Sequence, residues 1–300
     1  MNLNVGLIGY GEVGKIFSNG LKAKGLSWVG AWDVIFGDAV FGGAQRFHAT
    51  AHGVEACESA SVVCAKATLI MSAVTASNTL AVAQEIARTI RPGTVFLDLN
   101  SASPGTKQKA AALIEAAGGK YVEAGVMTSV PPYGLAVPML VGGRHAVALA
   151  DRLRTFGFDI TPVSEKIGVA SATKMTRSIM IKGLEALVIE SYSTARKYGV
   201  EDAMIATLKE TFPSIDWDKQ GAYFFSRVVQ HGKRRAEEMR EAANTVQEAG
   251  FAPSMASAIA EKQDWVASLA KAGLFDNMDK NALWQDYADR LLKRAPSTDS

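Results

Sequence analysis

The chain has 300 residues, 48% of them hydrophobic, with 32 basic and 30 acidic side chains and a formal net charge of +2. That is ample for a buried core and points to two domains, and so even a charge balance gives no reason to expect nucleic acid or a membrane surface as partner. The two cysteines, Cys57 and Cys64, exclude a disulfide framework and a four-cysteine zinc site, and no metal is expected.

In chain order, the first element is the apolar run LNVGLIG, a strand that enters VGLIGYGEVG. Asn2 and Asn4 stand where a leader would carry basic residues, and no run approaches the ~18 apolar residues of a membrane span, so a soluble, cytoplasmic protein is expected. The amphipathic segment VGKIFSNGLKAKG follows, closed by Gly25, and then the strand SWVGAWDV. TLIMSAV, TVFLDLN, KYVEAGV, PMLVGG and DITPVS are further strands, with NTLAVAQEIARTI, PGTKQKAAALIEAAG and HAVALADRLRTFG as helices between them. Pro92-Gly93, Gly118-Gly119 and Gly157 mark helix ends. Strands alternating with helices predict βαβ units on a mostly parallel sheet, an α/β Rossmann-type domain over 1–165. Beyond it strand signals vanish, and 166–300 is expected to be an all-α domain for substrate binding and dimerisation. Its longest helix is GVASATKMTRSIMIKGLEALVIESYSTARKYG; VEDAMIATLKETF, YFFSRVVQHGKRRAEEMREAANTVQEAG, SMASAIAEKQDWVASLAKAG and NALWQDYADRLLKR follow, and the tail APSTDS is expected to fray.

Gly9, Gly11 and Gly14 form one G-x-G-x-x-G, a weak pattern alone but here set between a strand and a helix in the first βαβ unit. Gly9 suits a tight turn, Gly11 the close approach of a pyrophosphate, and Gly14 close helix–strand packing, while the helix N-terminus offers free N–H groups to the anion. Tyr10, Glu12 and Val13 complete this candidate loop. An acidic residue about twenty positions on should receive the ribose hydroxyls, and Asp33 stands there, favouring NAD over NADP; its other reading is a loop cap. Ligands in such folds sit outside the carboxyl ends of the strands. There Val74 and Thr75 are candidates for the adenosine side or ribose, and Asn100, Ser101 and Ser103 place hydrogen-bonding side chains just past a strand; Ser103 before Pro104 also reads as a helix cap.

These motifs resemble the β-hydroxyacid dehydrogenases, the group containing 3-hydroxyisobutyrate and 6-phosphogluconate dehydrogenases. The family segment D-x-S-T-x-S-P, which lines substrate and nicotinamide, reads here Asp98-Leu99-Asn100-Ser101-Ala102-Ser103-Pro104, so the resemblance makes Asn100 and Ser101 candidates for cofactor and substrate. The segment D-A-P-V-S-G-G aligns with Glu123-Ala124-Gly125-Val126-Met127-Thr128-Ser129, so its anion-binding Ser-Gly-Gly is replaced and Ser129 is the remaining candidate. A glycine followed by a helix with a catalytic lysine matches Gly168 to Lys174, and the family's asparagine one turn later falls on Ser178. The resemblance implies a nicotinamide-dependent dehydrogenase, usually dimeric or tetrameric, with Lys174 as general acid/base.

By spacing alone Lys174, Ser178 and Lys182 are a polar stripe; with the resemblance, Lys174 takes the hydroxyl proton as hydride leaves the alcohol carbon. Burial, or the cations Arg177 and Lys182, would make a lysine fit for this at neutral pH. The run HGKRRAEEMR reads either as a solvated face with an Arg234–Glu238 pair or as a clamp in which Lys233, Arg234 or Arg235, with Arg235 the chosen candidate, meets a substrate carboxylate or phosphate. His145 and His231 read as ordinary histidines, and Trp217, Tyr223, Phe224 and Phe225 as core or subunit interface. The expectation is thus an enzyme acting on a small hydroxy acid, with imine reduction on the same frame and a non-catalytic NAD sensor as the rival readings.

Overall fold

The computed structural model describes residues 3–293, so the tail 295–300 lies outside the described residues. Two compact units are present, Met1–Thr176 and Arg177–Ser300. The first runs β1 (Val5–Ile8), α1 (Glu12–Ala23), β2 (Val29–Trp32), α2 (Gly42–Ala51), β3 (Glu55–Ala56), α3 (Ala60–Lys66), β4 (Leu69–Ser72), α4 (Thr79–Ala87), β5 (Val95–Asp98), α5 (Pro104–Ala116), β6 (Lys120–Val126), β7 (Met139–Gly142), α6 (Ala146–Arg154) and β8 (Ile160–Ser164). Helix α7 (Val169–Tyr198) begins in this unit and continues into the second, where α8 (Glu201–Thr211), α9 (Trp217–Glu248), α10 (Ser254–Lys271) and α11 (Trp284–Leu292) follow.

The strands form one sheet in the order β3-β2-β1-β4-β5-β6-β7-β8. Every pair is parallel except β6–β7. This is a Rossmann-type fold, and its strand order reverses between β1 and β4, where such sheets open a crevice. Both faces are covered, so the strands read as apolar runs whose alternate residues enter two cores. Val5, Leu7, Met71, Leu97 and Val122 pack on one face with Phe17, Leu21 and Leu153. Ile8, Ile70, Phe96 and Tyr121 pack on the other with Val63, Val82, Ile86 and Ile114. Cys57 and Cys64 are buried as free thiols, and burial pushes the Cys57 thiol up to about 11.

Elements α2, β3 and α3 have no counterpart in the sequence reading. Here the hydrophobic period misleads, because Phe47 is 74% exposed on α2 while the small Ala49 faces the core. Strand β3 has only two residues, too few to show alternation.

The second unit is helical throughout its described length. Tyr192, Phe225, Val228, Leu269, Trp284 and Tyr287 are the large members of its core, with the Tyr192 and Trp284 rings 4.8 Å apart edge to face. Trp217 and Phe225 are buried there, whereas Tyr223 is 54% exposed. No helix among the described residues is long and apolar enough to cross a membrane.

Candidate functional site

The turn from β1 into α1 needs two of its glycines for packing. Gly9 has φ +96°, and a Cβ there would lie 2.4 Å from the Ala73 carbonyl oxygen; at Gly14 it would lie 2.3 Å from that of Gly9. Gly11 differs, for a Cβ would meet nothing within 4 Å. Open space at an unforced glycine suits a bound group that must approach the backbone closely. Helix α1 starts at exposed Glu12, followed by half-buried Val13, with no side chain capping its first amides. Those amides carry the partial positive charge of a helix start, so the residues present fit an anionic pyrophosphate.

Asp33, just past β2, fixes this turn. Its Oδ2 accepts from the Tyr10 N–H at 2.6 Å and its Oδ1 from the Ile35 N–H at 2.9 Å. It therefore caps the 3-10 turn Val34–Gly37 and braces the glycine loop at once. Each oxygen retains a second lone pair, so the capping role and a ribose contact are compatible. Tyr10 contributes its N–H rather than its ring, which is buried against Phe36, with the hydroxyl 3.3 Å from His48 Nδ1. Burial raises the pKa of that hydroxyl.

At the ends of β4 and β5 Asn100 has a structural role as well as an expected one. Asn100, expected to reach cofactor and substrate, is 3% exposed. Its Oδ1 accepts from the Val74 N–H at 2.7 Å and its Nδ2 donates to Ser72 Oγ at 3.0 Å. These bonds make Asn100 a brace on β4 and its loop, and since an amide oxygen can accept two bonds and an NH2 donate two, bracing and a ligand contact are compatible. Val74 itself is half-buried beside Gly9, and Thr75 is exposed, its hydroxyl accepting from Asn78 Nδ2 at 2.8 Å. Ser103 caps α5 as its sequence suggests, accepting from the Thr106 N–H at 3.2 Å.

Beyond Asn100, Ser101 is half-buried and its Oγ accepts from Lys174 Nζ at 2.5 Å. The path is continuous: Gly9 touches Ala73–Val74, Val74 is tied to Asn100, and Asn100 precedes the serine that receives the lysine. One unit thus joins the glycine loop to the amine. Ser129 is half-buried in the loop that leaves β6 at this same edge.

Below Ser101 lies a network the sequence reading missed. Asp98 accepts from Lys107 Nζ at 2.9 Å and from the Tyr121 hydroxyl at 2.7 Å, and its Oδ1 accepts from the Asn100 N–H at 3.0 Å. Asp98, Lys107 and Tyr121 are all fully buried. Burial first, then the Asp98 charge, raises the Tyr121 pKa well above its ordinary 10. Lys107 did leave a signal: it shares the buried stripe of α5 with Ala110, Ala111 and Ile114, where a charge requires a partner.

Ser178 and Arg235 belong to the second unit. Ser178 is buried on α7. Arg235 is buried on α9, its Nε donating to Glu185 Oε2 at 2.9 Å and its Nη2 to the other oxygen. This bidentate pair uses the Nε and Nη2 edge of the guanidinium, the edge with which a substrate clamp would grip an anion. Lys182, expected as a cation near Lys174, lies 2.8 Å from Glu238, which also takes the Arg234 partner the i, i+4 spacing suggested, at 3.2 Å. Burial, then Arg227, Arg234 and Arg235, pushes the His231 pKa down to about 4.

A doubly wound sheet with a glycine turn, an acid at the end of its second strand and a helical second unit defines a nicotinamide-dinucleotide-binding protein of the oxidoreductase type. Residues 4–152 match the NAD binding domain of 6-phosphogluconate dehydrogenase, and residues 195–266 match a domain of unknown function, DUF1932. The chain belongs to the β-hydroxyacid dehydrogenase-like family. It is 37% identical to a conserved hypothetical protein of Sinorhizobium meliloti 1021, covering 98% of this chain and 97% of that one with a TM-score of 0.77. It is 29% identical to the conserved protein MTH1747, a protein of unknown function with structural similarity to 3-hydroxyacid dehydrogenases, over 90% of this chain and 98% of that one, TM-score 0.68. The 3-hydroxyisobutyrate dehydrogenase of Mycobacterium tuberculosis shares the fold at 17% identity, over 97% and 99% of the two chains, TM-score 0.65.

Proposed function

We propose that the protein is an NAD-dependent dehydrogenase that interconverts a small β-hydroxy acid, or a similar alcohol, and its carbonyl partner. The observation that carries this reading is the Lys174–Ser101 hydrogen bond at 2.5 Å, on a contact path that begins at the glycine turn. The turn at Gly9, Gly11 and Gly14, the start of α1 and Asp33 would hold the dinucleotide, which supplies a hydride acceptor or donor when bound. Lys174 takes the proton from the alcohol oxygen and returns it in the reverse direction. Ser101, accepting from Lys174, keeps its own O–H to donate to the substrate oxygen, so it orients the hydroxyl while the lysine moves the proton. Asp33 disfavours the extra phosphate of NADP by charge repulsion, which makes NAD the preferred cofactor. Asn100 enters as the brace that places Ser101, and Arg235, paired with Glu185, is given no step in the proposed reaction.

A homodimer or higher homo-oligomer accompanies this reading. On α7, Met180, Leu187 and Tyr198 are exposed at 67%, 55% and 76%. With Leu184, Ser191 and Thr194 they recur at alternating four- and three-residue steps, the seam spacing of a helix that packs on another helix. Cytoplasmic localisation completes the proposal.

The test is NADH absorbance with a panel of C3–C6 hydroxy acids, and amine and imine panels in parallel. NAD-linked turnover of a hydroxy acid is expected. Turnover confined to amines would replace the reaction class, and tight NADH binding with no turnover on either panel would leave a sensor.

A further inference from the structure

Glu123 is fully buried on β6 with no basic side chain among the partners that hold it. A buried carboxylate in that position demands compensation. Here the compensation is the first turn of α7. Oε1 accepts from the Gly168 N–H at 2.7 Å and the Ala170 N–H at 3.1 Å. Oε2 accepts from the Ser171 N–H at 3.3 Å and the Ser171 hydroxyl at 2.8 Å. Four donors from one helix start close on one carboxylate, and the partial positive charge of that helix end meets the negative side chain.

The surroundings are shaped around this contact. Gly142 is paired with Glu123 across the antiparallel β6–β7 ladder, and a Cβ there would lie 2.6 Å from Oε1. Gly125, two residues on and on the same face of β6, lets the helix come close: a Cβ would sit 3.0 Å from the Ala170 carbonyl oxygen and 3.3 Å from the Cβ of Lys174. Ser171 and Lys174 are three apart on α7 and share a helix face, so the residue clamped and the residue bearing the amine move together. On the other side, Glu123 stands opposite Asp98 in the β5–β6 register. Asp98 holds the Asn100 N–H just before Ser101. Two adjacent buried carboxylates therefore fix the two halves of one contact, Asp98 the serine loop and Glu123 the lysine helix.

We infer that Glu123 is a positioning residue whose carboxylate clamps the first turn of α7 and so sets Lys174 Nζ on Ser101 for proton transfer. This rests on the dehydrogenase reading for its consequence in turnover, but the placement of the lysine is testable without activity.

The experiment compares the full chain with Glu123→Gln, Glu123→Asp and Ser171→Ala. Gln turns one acceptor oxygen into an N–H₂ that faces the Ser171 donors; Asp keeps the charge but falls short by one methylene; Ser171→Ala removes a single donor. Each is read by NADH fluorescence titration, by acetic anhydride labelling of Lys174 relative to the other lysines, quantified by mass spectrometry, and by steady-state kinetics on any substrate found. For Glu123→Gln, Lys174 labelling is expected to rise roughly threefold as the first turn loosens. NADH affinity should stay within about twofold, and kcat should fall about tenfold or more with the KM for NAD unchanged, since a misplacement near 1 Å costs on that scale. Glu123→Asp and Ser171→Ala should shift the same readouts in the same direction by less. Unchanged relative labelling of Lys174 in all three variants would overturn the inference, as would a parallel loss of NADH affinity and kcat, which marks general damage to the fold. If the wild type oxidises nothing, the labelling and titration arms still decide the clamp, and only the dehydrogenase reading fails.

Discussion

The two units treat buried charge in opposite ways. In the first, Asp98 and Glu123 are buried side by side, and their partners include the N–H of Asn100 and the first amides of α7, groups whose neighbours Ser101 and Lys174 meet each other. In the second, Arg235 is paired with Glu185 and Lys182 with Glu238, helix to helix, and Gln263 donates to Glu185 at 3.2 Å. The first arrangement turns buried carboxylates outward in effect, since what they hold is a half-buried serine and lysine. The second closes on itself. Buried ions are weak evidence for stability, because desolvation offsets the attraction, so their value lies in the geometry they enforce. In the proposed reaction the chemistry belongs to the edge of the sheet, and the buried charges of the bundle fix how its helices pack.

The largest effect that would break this contrast concerns Lys174. Lys174→Met should lower turnover by about 10²–10⁴-fold, the usual contribution of a positioned acid/base, with NADH affinity nearly unchanged. Single-turnover kinetics and an NADH titration check it; a variant retaining a tenth of the activity would move the chemistry elsewhere. Next in size is Arg235→Met. Leaving Glu185 buried without its cation should cost about 3–5 kcal/mol in urea unfolding, while the double variant Glu185→Met/Arg235→Met should recover most of that loss. A selective rise in substrate KM at wild-type stability would instead return Arg235 to the site.

Much of this was legible in the sequence. The strand–glycine–helix start and the acid at Asp33 follow from local chemistry that a few adjacent residues carry, whereas the lysine after Gly168 stands out only through the family resemblance. The long helix at 168–199 and the change from strands to helices were readable because their apolar periods run long. What sequence could not give was pairing at distance. Asn100 reads as a ligand contact, and nothing local says that Val74 and Ser72 also take a bond from each end of its amide. Arg235 looks like a free cation until Glu185, fifty residues away, fills its fork. Glu123 sits inside an apolar run, and nothing local says that the first turn of α7 covers it.

A smaller effect sharpens the contrast at the cofactor end. Asp33→Asn keeps an acceptor for Ile35 but removes the charge. NADH affinity should fall about tenfold, the scale of one charge-assisted contact, while NADPH affinity changes little, so the preference between them narrows. Fluorescence titrations with both dinucleotides measure it. Equal losses for the two would mean that Asp33 acts only through its brace on Tyr10.

The smallest effect belongs to the bundle and depends on pH. His231 has its folded pKa pushed down to about 4, by burial first and then by Arg227, Arg234 and Arg235, against about 6.5 in an unfolded chain. Between those values the unfolded chain binds the proton and the folded one does not. Stability from this residue is therefore full above pH 6.5 and is lost as pH falls toward 4. The side chain is only half-buried, so solvent moderates the loss, and a fall in Tm on the order of a few degrees is expected from pH 7 to pH 5. His231→Asn removes the titrating group and should flatten the Tm profile over that interval without altering its shape below pH 4, where carboxylates dominate. An unchanged slope in that variant would assign the acid sensitivity to the carboxylates, with Glu238 as the first to substitute.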